Sequence, residues 1–330
     1  MTIAFNLKSA LQILADGNFH SGTELSQSLA LSRSAISKHL QCLSDLGIEM
    51  TAISGKGYKL HRPIQLLSLK QMERFLTDRV DELLQGIEIH DLITSTNSYL
   101  LERNHTSGAK NMACFAEHQS AGKGRRGKSW ISPFGCNIYL SLSWQYQNGP
   151  VVLAGLSLAV GVAVVRALNE MGIDNIGLKW PNDVYWRQKK LAGILIEITG
   201  ESGGPCSAVI GLGLNCYIPS SEASNINQAW VDLDSILGRP THELRNKLAA
   251  VLLNHIVPVA AEFENRGLDY YLAEWRRHDC MQGHSVNIVS GQHCFQGVVE
   301  GVNEQGMLLV KDGNKQVKTF ASGEISYKAL

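Results

Sequence analysis

The sequence lacks the features that mark secreted, metal-binding or membrane-spanning proteins. Its seven cysteines are scattered, odd in number and never spaced C-x-x-C, which argues against a disulfide framework or a zinc site and fits a reducing cytoplasm. None of the eleven histidines has the spacing of a metal site or a catalytic triad. Because 30 basic residues balance 30 acidic ones, only a local basic patch would indicate nucleic-acid binding.

Neither a signal peptide nor a membrane span is expected. The N-terminus carries a lysine inside a short amphipathic stretch and has no small-residue cleavage site. The longest apolar run, residues 151–168, is broken by Gly155, Gly161 and Arg166, so it is predicted to be a buried helix. A chain of 330 residues is long for a single core and predicts two or three domains.

Residues 1–62 are predicted to form a small helical domain. After a first amphipathic helix, residues 21–24 read S-G-T-E, a capping box that opens a second helix. Ser32 is placed to cap a third helix, which Gly47 ends. Residues 48–60 then predict a β-hairpin with a glycine-rich basic tip, a wing.

The third helix is predicted to have two faces. Ile36, Leu40, Leu43 and Leu46 share helical spacing and should face the core. The opposite face and the wing carry side chains suited to phosphates and base edges, namely Arg33, Ser34, Ser37, Lys38, Gln41 and Lys56. The order of elements resembles a winged helix-turn-helix DNA-binding domain. The alternative is a helical bundle with a solvated polar face.

Residues 122–127, G-K-G-R-R-G, match the glycine pattern of dinucleotide-binding folds. That pattern requires a helix after the glycines, and Pro133 and Gly135 make one unfavourable. We therefore predict a flexible loop whose backbone N–H groups and basic side chains cover an anion. The alternative is an exposed basic loop without a ligand.

Two further motifs flank this loop. Residues 179–183, K-W-P-N-D, follow a strand-like stretch and open a predicted hairpin whose return strand begins at Lys190. Upstream, the triplet Ser95-Thr96-Asn97 precedes an apolar stretch. On its own the triplet is as consistent with an ordinary helix cap as with a binding site.

In this order, the triplet, the glycine-basic loop, K-W-P-N-D and the string K-L-A-G-I-L at 190–195 resemble the biotin–protein ligase family. With the winged helix in front, the chain resembles the bifunctional members of that family, which also repress the biotin operon. The resemblance implies an α/β, or α+β, multidomain fold. It places a mixed-sheet, class II synthetase-like ligase domain at 63–279 and an SH3-like β-barrel at 280–330, where short strand patterns begin.

The resemblance also implies the chemistry and the partners. Biotin and ATP, with Mg²⁺, would give biotinyl-5′-AMP, and the biotinyl group would pass to one lysine of the biotin carboxyl carrier protein. Biotinyl-AMP would favour a homodimer, formed through an edge strand near residues 193–199, that binds palindromic operator DNA. No all-protein metal site is expected, because Mg²⁺ would bridge phosphates.

Site residues carried over by motif fall into three groups. The catalytic group is Lys190, Arg125, Lys123 and Asp183. The biotin-binding group is Ser95, Thr96, Asn97, Gln119, Lys123, Gly124, Arg125 and Lys190, with Trp130 near the pocket. The nucleotide-binding group is Lys179, Asn182, Asn215 and Trp230, the last as an aromatic lid. Lys123 departs from the family, which usually has arginine there; lysine keeps the charge but not the forked geometry.

Three alternatives stay open on the sequence. The first is a ligand-sensing repressor that has lost catalytic turnover. The second is a ligase whose winged helix no longer binds operator DNA. A lipoate ligase, which shares the fold, is disfavoured by the winged helix and the specific motifs.

Overall fold

The computed structural model describes residues 5–107, 110–201, 203–291 and 293–327. The N-terminal domain has the predicted order of elements. They are α1 (Phe5–Leu14), α2 (Gly22–Leu29), α3 (Arg33–Asp45), β1 (Met50–Ile53) and β2 (Gly57–Leu60). The buried residues of its core are Leu11, Leu14, Leu25, Ile36, Leu40, Leu43, Ile48 and Leu60. Leu46 packs against them from the edge, so the predicted core face of α3 is confirmed.

The capping predictions in this domain are confirmed. The Ser21 hydroxyl accepts the backbone N–H of Glu24 at 3.0 Å, and the Ser32 hydroxyl accepts that of Ala35 at 3.2 Å. The wing closes at Gly57, whose φ is +105°. A Cβ there would lie 2.0 Å from the His20 carbonyl oxygen, so only glycine fits this turn.

The central domain is a mixed seven-stranded sheet in the order β3-β4-β5-β9-β8-β7-β6. The β3–β4 pair is parallel, and the other neighbours are antiparallel. The strands are β3 (Gly86–Ile93), β4 (Met112–Gln119), β5 (Ile138–Tyr146), β6 (Ile176–Lys179), β7 (Asp183–Trp186), β8 (Lys189–Gly200) and β9 (Cys206–Leu214). The helices are α4 (Leu69–Met72), α5 (Asp78–Leu83), α6 (Thr96–Ser107), α7 (Leu156–Glu170), α8 (Ser220–Ala223), α9 (Leu233–Leu237), α10 (Arg245–Arg266) and α11 (Asp269–Arg277).

The helix predicted from residue 151 starts later than expected. Residues 150–153 form a 3₁₀ turn, and α7 begins only at Leu156 because Gly155 has a φ of +82° that breaks the run. A second 3₁₀ turn, His242–Leu244, likewise precedes α10. The segment 150–170 is the one described helical stretch long and apolar enough to cross a membrane, and 67% of it is buried inside the protein. It is the core helix that the sequence predicted.

Strand β8 lies inside the sheet, and its segment near residues 193–199 was expected to be an edge strand. Its first residues pair with β7 as far as Gly193, while residues 192–200 pair with β9. Because β7 is only four residues long, the other side of residues 195–199 has no strand partner among the described residues. The open edge expected near residues 193–199 is therefore present at residues 195–199, while Gly193 pairs with β7.

The C-terminal domain is a five-stranded antiparallel sheet in the order β13-β12-β11-β10-β14. Its strands are β10 (Ser285–Ser290), β11 (His293–Val302), β12 (Leu308–Lys311), β13 (Val317–Phe320) and β14 (Glu324–Tyr327). The short strand patterns expected in residues 280–330 are therefore confirmed. The domain boundaries after residues 62 and 279 stay predictions.

A buried ion pair ties the central domain to the linker that follows the winged helix. Arg245, at the start of α10, and Glu117, in β4, are each 1% exposed and 2.7 Å apart. Arg245 also donates to the carbonyl oxygens of Gln65 and Asn137, at 2.6 and 2.9 Å. Glu117 accepts the backbone N–H of Leu67. The two side chains thus bind each other and the linker backbone, while the Arg245 Nε is buried without a hydrogen-bond partner among the described residues.

Replacing Arg245 by Met should leave the Glu117 carboxylate buried in the core without its charged partner. We expect the free energy of unfolding, measured by urea titration, to fall by about 3–5 kcal/mol. The control is Arg266→Ala, which removes an exposed pair with Glu262 and should cost less than about 1 kcal/mol. Equal losses in the two variants would contradict a structural role for the buried pair.

Candidate active site

A cleft lies where the start of α6, the glycine-basic loop and strands β4, β8 and β9 meet. Most of the predicted site residues line it. These are Ser95, Thr96, Asn97, Gln119, Lys123, Gly124, Arg125, Trp130, Lys179, Asn182, Asp183 and Lys190. Motifs up to 95 positions apart in the chain are therefore brought to one cavity.

The triplet at residues 95–97 contains a helix cap and also lines the cleft. Ser95 is the helix cap, since its hydroxyl accepts the backbone N–H of Ser98 at 3.5 Å. Thr96 instead faces the cleft, and its N–H and hydroxyl donate to the Gln119 side-chain oxygen at 2.9 and 3.1 Å. Asn97 donates to Glu197 at 2.8 Å. The cleft floor is a buried network of polar groups.

Two members of this network were missed by sequence reasoning. Ser141 is fully buried on β5, and its hydroxyl lies 2.7 Å from the Thr96 hydroxyl and within donating distance of the Asn97 side-chain oxygen, so its single hydrogen serves one of the two acceptors. Glu197 on β8 accepts from Asn97. The available signal for Ser141 was a serine inside the apolar strand I-Y-L-S-L-S-W. Glu197 carried no signal, because a glutamate on a strand is usually solvated.

The glycine-basic loop folds over the cleft and is not followed by an α-helix. Its backbone is closed by hydrogen bonds from Trp130 N to the Gly122 oxygen at 2.8 Å and from Gly124 N to the Lys128 oxygen at 2.7 Å. Residues 125–127 form a 3₁₀ turn with Arg126 at a φ of +56°. Gly122 is required, since a Cβ would lie 2.5 Å from the Trp130 oxygen. The rejection of a dinucleotide-binding loop is confirmed.

The loop cations already have partners. Arg125 donates to the Asn182 side-chain oxygen at 2.9 Å, and Lys123 lies 3.8 Å from Glu197. Burial, and then the neighbouring charge of Arg126, lower the pKa of Arg125. Lys128 pairs with Glu324 of the C-terminal domain, a contact that the sequence did not predict.

Lys190 is held at the centre of the cleft. Its ammonium lies 2.8 Å from the Asp183 carboxylate, and the two side chains are only 14% and 16% exposed. The same ammonium lies 5.4 Å from the centre of the Trp130 ring. On β6, Lys179 donates to the Tyr185 hydroxyl at 2.9 Å, and burial lowers the pKa of Lys179.

Trp130 forms an apolar wall of the cleft. A Cβ on Gly213 would lie 2.3 Å from its Cε2, and one on Gly193 would lie 3.0 Å from its Cζ3, so the two glycines make room for the indole. Its ring nitrogen is buried without a hydrogen-bond partner among the described residues.

Asn215 and Trp230, both predicted to bind nucleotide, do not line the cleft in the described structure. Asn215 is buried, and its amide donates to the Val231 oxygen at 3.2 Å. Trp230 is half-buried and forms a backbone bridge with Lys190. Both residues thus belong to backbone that packs next to Lys190.

The predicted DNA-contacting side chains form one exposed surface. Arg33, Ser34, Ser37, Lys38 and Gln41 are all exposed on α3, and Lys56 is exposed at the wing tip. Arg33 also donates to the Thr23 hydroxyl on α2. The arrangement suits insertion of α3 into a groove with the wing alongside.

Comparison with known proteins gives matches to all three domains. Family models match residues 6–59 (HTH domain), 89–215 (biotin/lipoate A/B protein ligase family) and 283–328 (biotin protein ligase C-terminal domain). The bifunctional ligase/repressor BirA of Escherichia coli strain K12 is 39% identical over 97% of this chain and 96% of its own length. The chain belongs to this bifunctional biotin ligase/repressor family.

Other relatives agree with this assignment. The Salmonella typhimurium protein of the same name is 40% identical over 97% of this chain and 96% of its own length. A solved structure, the biotin protein ligase from Aquifex aeolicus in complex with biotin and ATP, has the same fold. It gives a TM-score of 0.61 at 24% identity and covers 74% of this chain and 99% of its own.

The close approach of Gly213 to Trp130 gives a test of the cleft wall. Gly213→Ala should push the indole aside and lower the free energy of unfolding by about 1–3 kcal/mol. Urea titration followed by tryptophan fluorescence measures both effects. Gly203→Ala, where a Cβ meets nothing within 4 Å, is the matched control and should change stability by less than about 0.5 kcal/mol. An unperturbed Gly213→Ala variant would contradict the packing.

Proposed function

We propose that the protein joins biotin to ATP, giving biotinyl-5′-AMP and pyrophosphate, and then transfers the biotinyl group to a lysine of the biotin carboxyl carrier protein. The observation that carries this proposal is the cleft itself. There Lys190, Arg125 and Lys123 converge beside an apolar indole and a buried polar network. In a family of biotin ligases, this is the pocket suited to an apolar acid and a nucleotide.

The first step brings the biotin carboxylate against the α-phosphate, and these anions repel. Lys190 is fixed by Asp183 at 2.8 Å, so its ammonium is held ready to stabilise charge that develops between carboxylate and phosphate. Arg125 and Lys123 add charge from the loop, and the loop's glycines let backbone N–H groups approach. Closure of the loop also keeps water from the mixed anhydride.

The two substrates fit different parts of the cleft. The indole of Trp130 offers the apolar surface, and Thr96, Asn97 and Gln119 offer hydrogen bonds for the ureido end of biotin. Lys179 and Asn182 lie on the side we assign to the nucleotide. ATP enters as its Mg²⁺ complex, and that ion shields phosphate charge. In the part of the chain described, no three His, Cys, Asp or Glu residues cluster as a metal cage.

In the second step the acceptor lysine must lose a proton before it attacks. Asp183 is the carboxylate next to Lys190, and we assign it the role of receiving that proton. The proton leaves the amine, its lone pair forms the amide bond, and AMP departs.

Biotin-dependent exchange of pyrophosphate into ATP tests the first step. Lys190→Ala should lower the exchange rate by at least about 100-fold, because it removes charge stabilisation made in the transition state. The control is Lys189→Ala, which changes the exposed neighbour on the same strand and should retain the rate. No exchange by a folded wild-type protein that binds biotin would instead support a sensor without turnover.

We also propose that the biotinyl-AMP-bound form is a dimeric repressor in the cytoplasm. The open side of residues 195–199 can pair with a second copy. Close to it in the fold, Val151 is 80% exposed and Ile198 is 39% exposed, which is apolar area that a dimer would cover. The seven free thiols are consistent with a reducing compartment.

Operator binding has its own test. Lys38→Ala should weaken binding to the biotin-gene promoter fragment and lower the slope of log Kd against log salt by about 1, because one phosphate contact is lost. A gel-shift titration with biotin and ATP at several salt concentrations measures both. Lys70→Ala, an exposed lysine on α4 outside the winged helix, is the control. Equal behaviour of the two variants, or no shift at all, would favour a ligase whose winged helix is inert.

A further inference from the structure

The linker after the winged helix places one arginine between two groups of the central domain. The Arg62 guanidinium lies 3.8 Å from the centre of the Tyr217 ring. It also donates to the Asp234 carboxylate, and the pair is largely withdrawn from solvent, with exposures of 19% and 17%. A guanidinium that stacks and pairs at once is held in one orientation.

Asp234, which accepts the Arg62 hydrogen bond, is itself held in place by neighbouring groups. Asp234 is fixed by Thr241, whose N–H and hydroxyl donate to its other oxygen at 2.9 and 2.6 Å. Two residues earlier, buried Asp232 caps α9 through the Ser235 N–H at 2.9 Å and accepts the Ile218 N–H at 3.0 Å. The two ends of segment 217–234 are therefore bonded to each other, and Arg62 contacts both ends, at Tyr217 and Asp234. We call these two ends the base of the segment.

The far side of this segment forms the wall behind the central lysine of the cleft. The Lys190 N–H donates to the Ala229 oxygen, and the Val231 N–H donates to the Lys190 oxygen, both at 3.0 Å. Gln228 of the same segment lines the cleft. A displacement at the base would thus move backbone that is bonded directly to Lys190.

We infer that Arg62 is a positioning residue: it holds segment 217–234, whose Gln228 lines the cleft, in the place that MgATP binding requires, and so makes nucleotide affinity depend on its own contacts with Tyr217 and Asp234. The inference rests on the proposed ligase function. Arg62 does not touch the cleft, and Asp183 still fixes the Lys190 ammonium at 2.8 Å, so we expect the effect to fall on nucleotide binding rather than on the chemical step. By reciprocity, nucleotide binding would in turn stabilise the docked winged helix.

The chain offers a matched control for winged-helix docking. Lys8 on α1 pairs with Asp91 on β3 at 2.7 Å, and this contact anchors the same domain to the opposite end of the sheet. Lys8→Ala should loosen docking without touching segment 217–234. The Lys8→Ala variant therefore distinguishes a specific effect of Arg62 from a general loosening of winged-helix docking.

The experiment measures KM for MgATP and kcat in biotin-dependent pyrophosphate exchange with the full-length chain. For Arg62→Ala we expect KM to rise at least about fivefold, the lower end of usual coupling between sites, with kcat retained within about twofold. Arg62→Lys keeps the charge but loses the planar stack, so its KM should be intermediate. Lys8→Ala should leave both parameters within about twofold of wild type.

A double-mutant cycle with Asp234→Ala tests whether the two groups act together. The double variant should raise KM no more than either single change, since each removes the same contact. Additive effects, an unchanged KM in Arg62→Ala, or a loss of kcat that follows a lower melting temperature would each overturn the inference. A wild-type protein without exchange would overturn the proposed ligase function, and this inference with it.

Discussion

The buried pair between Arg245 and Glu117 is the constraint on which the rest of the structure depends. Each side chain is 1% exposed, so neither charge has water to replace a lost partner. Their remaining hydrogen bonds hold the linker backbone at residues 65–67 and the start of β5. Glu117 stands two residues before Gln119, which begins the cleft floor. One ion pair therefore fixes both the attachment of the winged helix and the position of the cleft.

The cleft is assembled from charges that already have partners. Lys190 pairs with Asp183, Lys123 lies near Glu197, and Arg125 donates to Asn182. A substrate anion must compete with these partner groups for the cations. The free energy of its binding is therefore only the difference between the new contacts and those they replace. This arrangement keeps buried cations satisfied in the free protein. The same arrangement places the three cations around one cleft, so little reorganisation of side chains is needed when an adenylate forms.

Several contacts between the three domains lie at the cleft or at the segment next to it. The C-terminal domain reaches the loop through Glu324, and it receives the Trp180 ring N–H at the Gly306 oxygen, 2.9 Å away. The winged helix reaches the wall behind Lys190 through Arg62. A ligand in the cleft therefore contacts, directly or through one intermediate segment, each part that repression and ligation would use. Coupling between sites needs this kind of shared element.

The sequence by itself determined the order of domains, the capped helices of the winged helix, the hairpin before Lys190 and most residues of the cleft. These features depend on periodicity, caps and short motifs, which act over a few residues. Only the tertiary structure decided that β8 is internal with a half-open edge, that Trp230 and Asn215 stand behind the cleft, and that Ser141 and Glu197 complete its floor. The pairs Arg245–Glu117 and Arg62–Asp234 join residues 128 and 172 positions apart. No local pattern encodes such pairs, because each is chosen by the packing of whole elements.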